Sequence, residues 1–406
     1  MNIRSRRSMQ SRFHGPQSRP GFALFMALGA LVIIGVLVAG SSFIAVQETR
    51  LGQNSIVQTR AFSVAEYGLN KIQADWDKTP NLQMATGASF DTSYASLDGR
   101  DTSNVRYTRL NNETFWIVST GRSVVGTSLS GGSRTAVKRV GAVLRLRIPS
   151  IAVKGAITAG GNVAVKGNAH VNGRDSVPAD WGCTSDPEDK PGVVVPPGSE
   201  VTTVGGVAKI LGTPPTATDV EAGNEETYFG FGEENWATLI QQANIIVAPG
   251  SNPVDVPYPR LDAGGYCDKN HKANWGEPMR VGTYEPSMSG ALTPQCYNYF
   301  PIIYAPNGLT LNGSGRGQGI LLVQGNLEIN GSFDWYGVAV VTNDIVRGNG
   351  SARVMGAVMA RNETVADASI ISGTTSYNYS SCGVERALRG SAQVVQAKER
   401  AWTELY

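Results

Sequence analysis

No carboxylate side chain occurs before Glu48, and between Pro20 and Gln47 there is no charged side chain of either sign. The first absence leaves five arginines (Arg4, Arg6, Arg7, Arg12, Arg19) unopposed in the first 19 residues. The second leaves the apolar run PGFALFMALGALVIIGVLVAGSSFIAVQ, longer than the about 20 residues a helix needs to cross about 30 Å of hydrocarbon. Histidine is scarce, at three scattered residues (His14, His170, His271), and no Cys-x-x-Cys occurs, so no zinc-ligand spacing is present. Residues 173–300 lack clustered Lys and Arg, holding 17 acids against 7 bases. Phosphate neutralisation needs such clusters, which excludes a nucleic-acid face there. Aromatic side chains make up only 8% of the chain, while glycine reaches 48 and proline 20 of 406 residues, which favours turn-rich β structure over a helical bundle.

The arginine cluster keeps residues 1–21 cytoplasmic as a basic leader and sends the chain after Glu48 across the membrane. The apolar run is too long for an ordinary secretory signal, and no Ala-x-Ala site follows it, so it is read as retained. A formal net charge of +2 hides segregation: 17 acids and 7 bases give −10 over residues 173–300, leaving +12 elsewhere. The four cysteines, Cys183, Cys267, Cys296 and Cys382, all fall on the translocated side, where an oxidising compartment permits two disulfides. Three pairings are open and the sequence does not choose among them.

Helical periodicity continues past the membrane run through Leu51, Val57, Ala61, Val64, Ala65, Gly68, Leu69, Ile72 and Trp76, with Pro80 as the first firm stop. A helix from Phe22 to Asp77 would be about 84 Å long at about 1.5 Å per residue. Residues 22–80 are therefore read as a transmembrane and amphipathic helix, apolar all round in its first half and striped in its second. Residues 81–150 form a small β domain: NVRYTRL, TFWIVSTG and RTAVKRVGAVLRLRI alternate in strand fashion between Asn-Asn and Ser-Gly-Gly-Ser turns, supplying antiparallel strands for the stripe to pack on. A generic stalk is the bland alternative.

Further on, Pro301, Gly319 and Gly337 mark an 18-residue period. In that register Leu309 falls on Leu327, Leu311 on Ile329, Asn312 on Asn330 and Gly313 on Gly331. A third copy, one residue longer, runs to Met355. The same template fits GAITAGGNVAVKGNAHVN at 155–172. Units this short cannot bury a face alone, so they are expected to stack as a short β-solenoid. Residues 151–172 supply the first coil and 301–372 the remaining coils. An acidic, Pro-rich insert separates them at 173–300. It is expected to be largely loop, with an amphipathic helix at 233–247. Residues 373–406 read as a helical cap. The fold class is α+β.

No catalytic constellation stands out. Asp219, Glu221, Glu225, Glu226, Glu233 and Glu234 offer clustered carboxylates for glycoside chemistry or calcium, but without calcium-loop spacing they read as a solvated acidic loop. GSGRGQG at 313–319 lacks the Lys-Ser/Thr of a phosphate loop and is expected at a solenoid corner. His170 has no assignable nucleophile beside it. Trp181, Tyr228, Phe229, Phe231, Trp236 and Trp275 suit ring stacking on carbohydrate or ordinary packing equally. No metal or cofactor is expected.

A basic leader ending in Gly21, an apolar helix beginning at Phe22, and the stretch Arg60-Ala61-Phe62-Ser63-Val64-Ala65-Glu66-Tyr67-Gly68 together resemble the type IV pilins, and among them the PilX-type minor pilins. The resemblance covers residues 15–77, and the strand region with Ser119-Thr120-Gly121 is similar more loosely. It implies that a prepilin peptidase cuts between Gly21 and Phe22 and that Phe22 becomes N-methylated. It also implies contacts with other minor pilins or pilus subunits through the helix. Most pilins carry a glutamate where Met26 stands, as do fewer of the tip and initiation subunits, so Met26 is a departure. The expected function is structural and non-enzymatic. The chain would sit in the inner membrane with its bulk periplasmic, enter a pilus or pseudopilus, and display a head that meets a surface ligand. Two alternatives remain: a membrane-anchored enzyme or adhesin acting on polysaccharide, and an uncleaved surface scaffold.

Overall fold

The computed structural model describes residues 20–76, 84–96, 99–126, 133–179, 181, 183, 188–205, 207–248, 257–264, 266–279, 296–346, 350–362, 369–397 and 402–405. The arginine leader, Pro80 and most of the Ser-Gly-Gly-Ser turn lie outside these residues.

Helix α1 runs unbroken from Pro20 to Ala74. Every side chain from Phe22 to Ile56 is exposed. Among the described residues this is the one helix long and apolar enough to cross a membrane. Its second half turns Val57, Ala61, Ala65, Leu69 and Ile72 inward, and Trp76 continues the stripe just past the helix end. Steps of three and four residues keep these on one face. The stripe lies on an antiparallel sheet of β1 (Ser89–Ala95), β2 (Asp101–Arg109), β3 (Thr114–Gly126) and β4 (Ser133–Arg147), paired in that order. Phe115, Ile117, Val140 and Leu144 meet it from the sheet. Gly121 on β3 makes the close approach feasible, because a Cβ there would overlap the Ala61 carbonyl and the Ala65 amide. Gly68 on α1 covers the fully buried hydroxyls of Ser103 and Ser119, which share a hydrogen bond of 2.9 Å.

Past β4 the chain enters a body of short parallel strands. It winds β5 (Ile157–Ala159), β6 (Val163–Lys166), β7 (His170–Asn172), β8 (Val193–Val195), β9 (Val201–Val204), β10 (Lys209–Leu211) and β11 (Thr216–Thr218). The next segment holds α2 (Glu226–Phe229), the hairpin β12 (Gly230–Phe231) and β13 (Glu234–Asn235), α3 (Trp236–Gln241) and β14 (Ile245–Ile246). Winding then resumes with β15 (Ile302–Ala305), β16 (Leu309–Leu311), β17 (Gly315–Val323), β18 (Leu327–Ile329), β19 (Ser332–Val341), β20 (Ile345–Val346), β21 (Ser351–Ala360), β22 (Ser369–Ile371) and β23 (Ser376–Tyr379).

The pairing follows the period in the sequence. Ile303 lies beside Leu321 and Leu321 beside Ala339, steps of 18 residues, whereas Ala339 lies beside Val358, a step of 19. Leu327 still pairs with Ile345 at 18, so the extra residue falls between Val346 and Ser351. Gly319, Gly337 and Gly356 stack at one corner with φ of +115°, +134° and +149°, each so close to the preceding carbonyl that a Cβ has no room. At another corner the Asn330 amide donates to Asn312 Oδ1 at 2.9 Å. The runs IIYA, ILLV, VAVV and AVMA are buried on both faces. Ile303, Leu321 and Val341 point into the body, while Ile302, Ile320, Leu322 and Met359 pack beneath Tyr228, Phe231 and Leu239. Burial on both faces explains why these strands lack alternation.

Four expectations are corrected. The turn at 155–172 does not stand ahead of the later copies: Ile157 lies beside Val358, so it stacks after the last of them. Stacking there covers the exposed end of β21, which the downstream copies alone would leave open. The first part of the insert is not loop, since β8 pairs with β5, β9 with β6 and β10 with β7. Pro191 and Pro215 sit between its strands, where their carbonyls accept from Ala156 and Val193 and no N–H is needed. The helix expected over 233–247 shortens to α3, because Asn235 and Thr238 cap each other's backbone at its start and Asn244 Oδ1 accepts from the Ile302 amide, drawing Ile245–Ile246 into a strand. Within the expected helical cap, only α4 (Ser381–Gly390) is helical among the described residues. Beyond it β24 (Gln393–Gln396) and β25 (Trp402–Leu405) pair antiparallel with the free edge of β4. The parallel-strand body is therefore an insertion within the small sheet.

Candidate functional site

The first half of α1 is a long apolar surface that nothing in the chain covers among the described residues. From Phe22 to Ile56 it extends about 50 Å at about 1.5 Å per residue, more than the about 30 Å of a hydrocarbon core. Phe22 is 69% exposed and Met26 62%, and the first charges along α1 are Glu48 and Arg50. An apolar surface of this extent needs lipid or other helices around it. The Gly21–Phe22 junction lies inside the first turn of α1.

The stretch Arg60–Gly68 works differently: Ala61, Ala65 and Gly68 are spent on the chain's own sheet. Arg60 pairs with Asp101 at 2.6 Å, and Asp101 also accepts from Ser123 Oγ at 2.7 Å. Phe62 stands edge-on to Trp402 with ring centroids 5.7 Å apart, so β25 holds the helix from the opposite end of the chain.

The structure disperses the acidic cluster. Lys154 Nζ donates to Asp219 at 2.8 Å and Glu221 at 2.5 Å. Glu225 faces Arg361 at 3.4 Å, Glu233 faces Arg145 at 3.1 Å and Glu234 faces Arg147 at 3.4 Å. The bond from Lys154, helped by the Glu221 amide, holds the Asp219 carboxyl below the usual range. Partial burial opposes the charge on Lys154, and its two carboxylates overcome that and raise its pKa. Among the described residues no three His, Cys, Asp or Glu side chains come together as a metal site would require.

The aromatics go mainly to packing. Trp181, Tyr228, Phe231 and Trp275 are buried, and Phe229 meets Trp236 edge-on at 5.4 Å. GSGRGQG is mostly strand, because β17 begins at Gly315, and beyond Ser314 only its last residue, Gly319, stands at the stacked glycine corner. Arg316 stacks over Tyr258 at 4.1 Å and pairs with the fully buried Glu277 at 2.6 Å, while Gly317 leaves room for Trp275 and Trp335. His170 opens β7 and pairs along the backbone with Ser376.

Of the three pairings open in sequence, the structure has Cys183 with Cys382 and Cys267 with Cys296, at Cα separations of 5.9 and 5.0 Å. The first ties the insert to α4. Beside it lies a clasp that sequence reasoning missed: the Arg386 guanidinium sits 4.5 Å from the rings of both Trp181 and Tyr297 and donates to the Tyr297 hydroxyl at 2.6 Å. The amphipathic spacing of VERALRG was the signal available, but its partners are far away in sequence.

No family model and no curated protein matches the chain. Among solved structures, the competence-associated pilin ComZ from Thermus thermophilus aligns with 86% of this chain and 96% of its own, at 12% identity and a TM-score of 0.21. A likeness at that score bears on neither fold nor function.

Proposed function

We propose that this chain is a non-enzymatic minor pilin-like subunit of a type IV pilus or related pseudopilus, most similar to the PilX type. One observation carries the reading: a single unbroken helix leaves its first half bare and apolar while docking its second half on an antiparallel sheet of the same chain. The bare half is held in the inner membrane, N-terminus cytoplasmic, and passes to neighbouring subunits' helices on assembly. Prepilin peptidase cuts at Gly21–Phe22. The parallel-strand body is a short β-solenoid head on the periplasmic side, displayed on the filament. The in-register ladder with its 18-residue step supports the solenoid reading. The polysaccharide-enzyme alternative draws no support from Asp219, Glu221, Glu225, Glu233 and Glu234, each of which faces a base.

Mass spectrometry of the native N-terminus tests the reading, with N-methylated Phe22 as the expected result. An intact Met1, in cells whose ordinary pilins are processed, overturns it. Equal pilus assembly with and without the gene would remove the assembly role.

A further inference from the structure

Where α1 ends, four separate parts of the chain close around a cleft of about 510 Å³. Gln73 and Asp75 come from the end of α1, Gln242 and Asn244 from beyond α3, Lys269 and Tyr299 from the insert, and Arg389 and Gln393 from α4 and β24. The charged groups on its wall are Asp75, Lys269 and Arg389, one more cation than anion.

Arg389 is the informative member. Its side chain is only 9% exposed, and Nη1 reaches Glu385 at 3.3 Å. Nε and Nη2 are buried and have no hydrogen-bond partner. Unmet donors on a buried cation are costly, so such a group signals a missing acceptor. The Nε–Nη2 edge carries two parallel N–H groups, matched to the two oxygens of a carboxylate, and a turn of the side chain toward the cleft it lines would bring them to a ligand. Lys269, with Nζ 5.8 Å from the centre of the Tyr299 ring, adds a second positive charge. The side-chain amides of Gln73, Gln242 and Gln393 also line the cleft, Gln242 already donating to Glu234 at 3.0 Å, and each amide oxygen adds an acceptor for the rest of a polar ligand.

We propose that this cleft binds a small ligand through a single carboxylate, taken by the Arg389 fork with Lys269 as the second charge. Asp75 on the same wall disfavours a doubly charged group such as phosphate. The carboxylate comes from either a uronic-acid sugar or a peptide C-terminus. Every residue named at the site belongs to one subunit, so the proposal stands independently of pilus assembly.

The test is calorimetric titration of the full-length protein in detergent with galacturonate, acetyl-alanyl-alanine, galactose and inorganic phosphate. One carboxylate probe is expected to saturate a single site, with galactose and phosphate at least about tenfold weaker, a loss of about 1.4 kcal/mol or more. Preference for galacturonate identifies the sugar source and preference for the peptide identifies the other. Arg389→Gln is expected to weaken binding at least tenfold, while Arg353→Gln, whose guanidinium pairs with Asp334 away from the cleft, leaves it unchanged. If Arg389→Gln melts early, Lys269→Gln is read in its place and must weaken binding severalfold. The proposal is overturned by no binding of either carboxylate below about 10 mM, by phosphate or galactose binding equally well, or by a folded Arg389→Gln protein that binds as before.

Discussion

Replacing Gly121 with valine should lift α1 off its sheet. A Cβ at this position meets the Ala61 carbonyl and the Ala65 amide and Cα, all of them backbone atoms that no side-chain rotation can clear. Ordinary overpacking costs about 1–3 kcal/mol when neighbours can adjust. Here relief requires moving the helix, which uncovers Leu69, Ile72 and Trp76, all now buried. At about 1.5–3 kcal/mol per large buried side chain, full separation would forfeit about 4.5–9 kcal/mol. A partial shift gives an expected loss of about 3–5 kcal/mol. Hydrogen exchange on the full chain in detergent, read on peptides covering 57–76 and 114–126, should show protection falling by about 100-fold or more, since each 1.4 kcal/mol is tenfold. Gly52→Ala is the matched control: nothing lies within 4 Å of that position, so alanine should strengthen the helix by about 0.5–1 kcal/mol. Protection in Gly121→Val within threefold of the native protein would refute the close-packing argument.

Breaking the Cys267–Cys296 bridge with Cys267→Ser and Cys296→Ser together frees a 29-residue separation and should cost about 3–4 kcal/mol on the chain-entropy account, read as a lowered thermal midpoint. Tyr107 and Tyr379 should resist ionisation in an alkaline absorbance titration. Burial pushes both phenols up to about 12, with Tyr94 and Asp91 adding to it at Tyr107 and Asp175 and Glu188 at Tyr379. Because the folded values lie above the ordinary value of about 10, their contribution to stability is intact below pH 10 and lost as pH rises from 10 to 12. Glu277→Ala should destabilise by about 3–5 kcal/mol, since it leaves the mostly buried Arg316 guanidinium without its carboxylate; a urea midpoint unchanged from native would contradict this.

What could be read from sequence was whatever repeats locally. The helix stripe from Val57 to Trp76 was legible because three- and four-residue steps announce one face. The strand register was legible because Leu309, Leu327 and Ile345 mark equivalent positions. Stacking order was not legible, since a template match between 155–172 and 319–336 says that two turns are alike and says nothing about which lies beside which. The strands VVV, VTTV, KIL and TAT were lost among prolines, because strands of three or four residues carry no readable period and Pro191 or Pro215 punctuates a turn between strands as readily as a loop. QVVQ and WTEL were missed because their partner, β4, precedes them by the whole of the inserted body. Of the cleft, only residue types were visible; Asp75, Lys269 and Arg389 meet through tertiary folding alone.

The insertion has a mechanical consequence. A domain attached by one linker can swivel, whereas the parallel-strand body leaves the small sheet at the end of β4 and returns to the same strand through β24 and β25. Two covalent crossings on one strand remove most rotation about either. Ion pairs from Arg145 to Glu233 and from Arg147 to Glu234 lie at the first crossing, the latter with its carboxylate almost fully buried. The second crossing runs through α4, which Cys183–Cys382 and the Arg386 clasp fasten to the body. Phe62 on α1 rests against Trp402 on β25, so the helix, the sheet and the returning strand share one packed unit. On the assembly reading, tension applied to α1 therefore passes into β3 and β4 and reaches the head along two routes. The orientation of α1 in a bundle would then set the direction in which the head points.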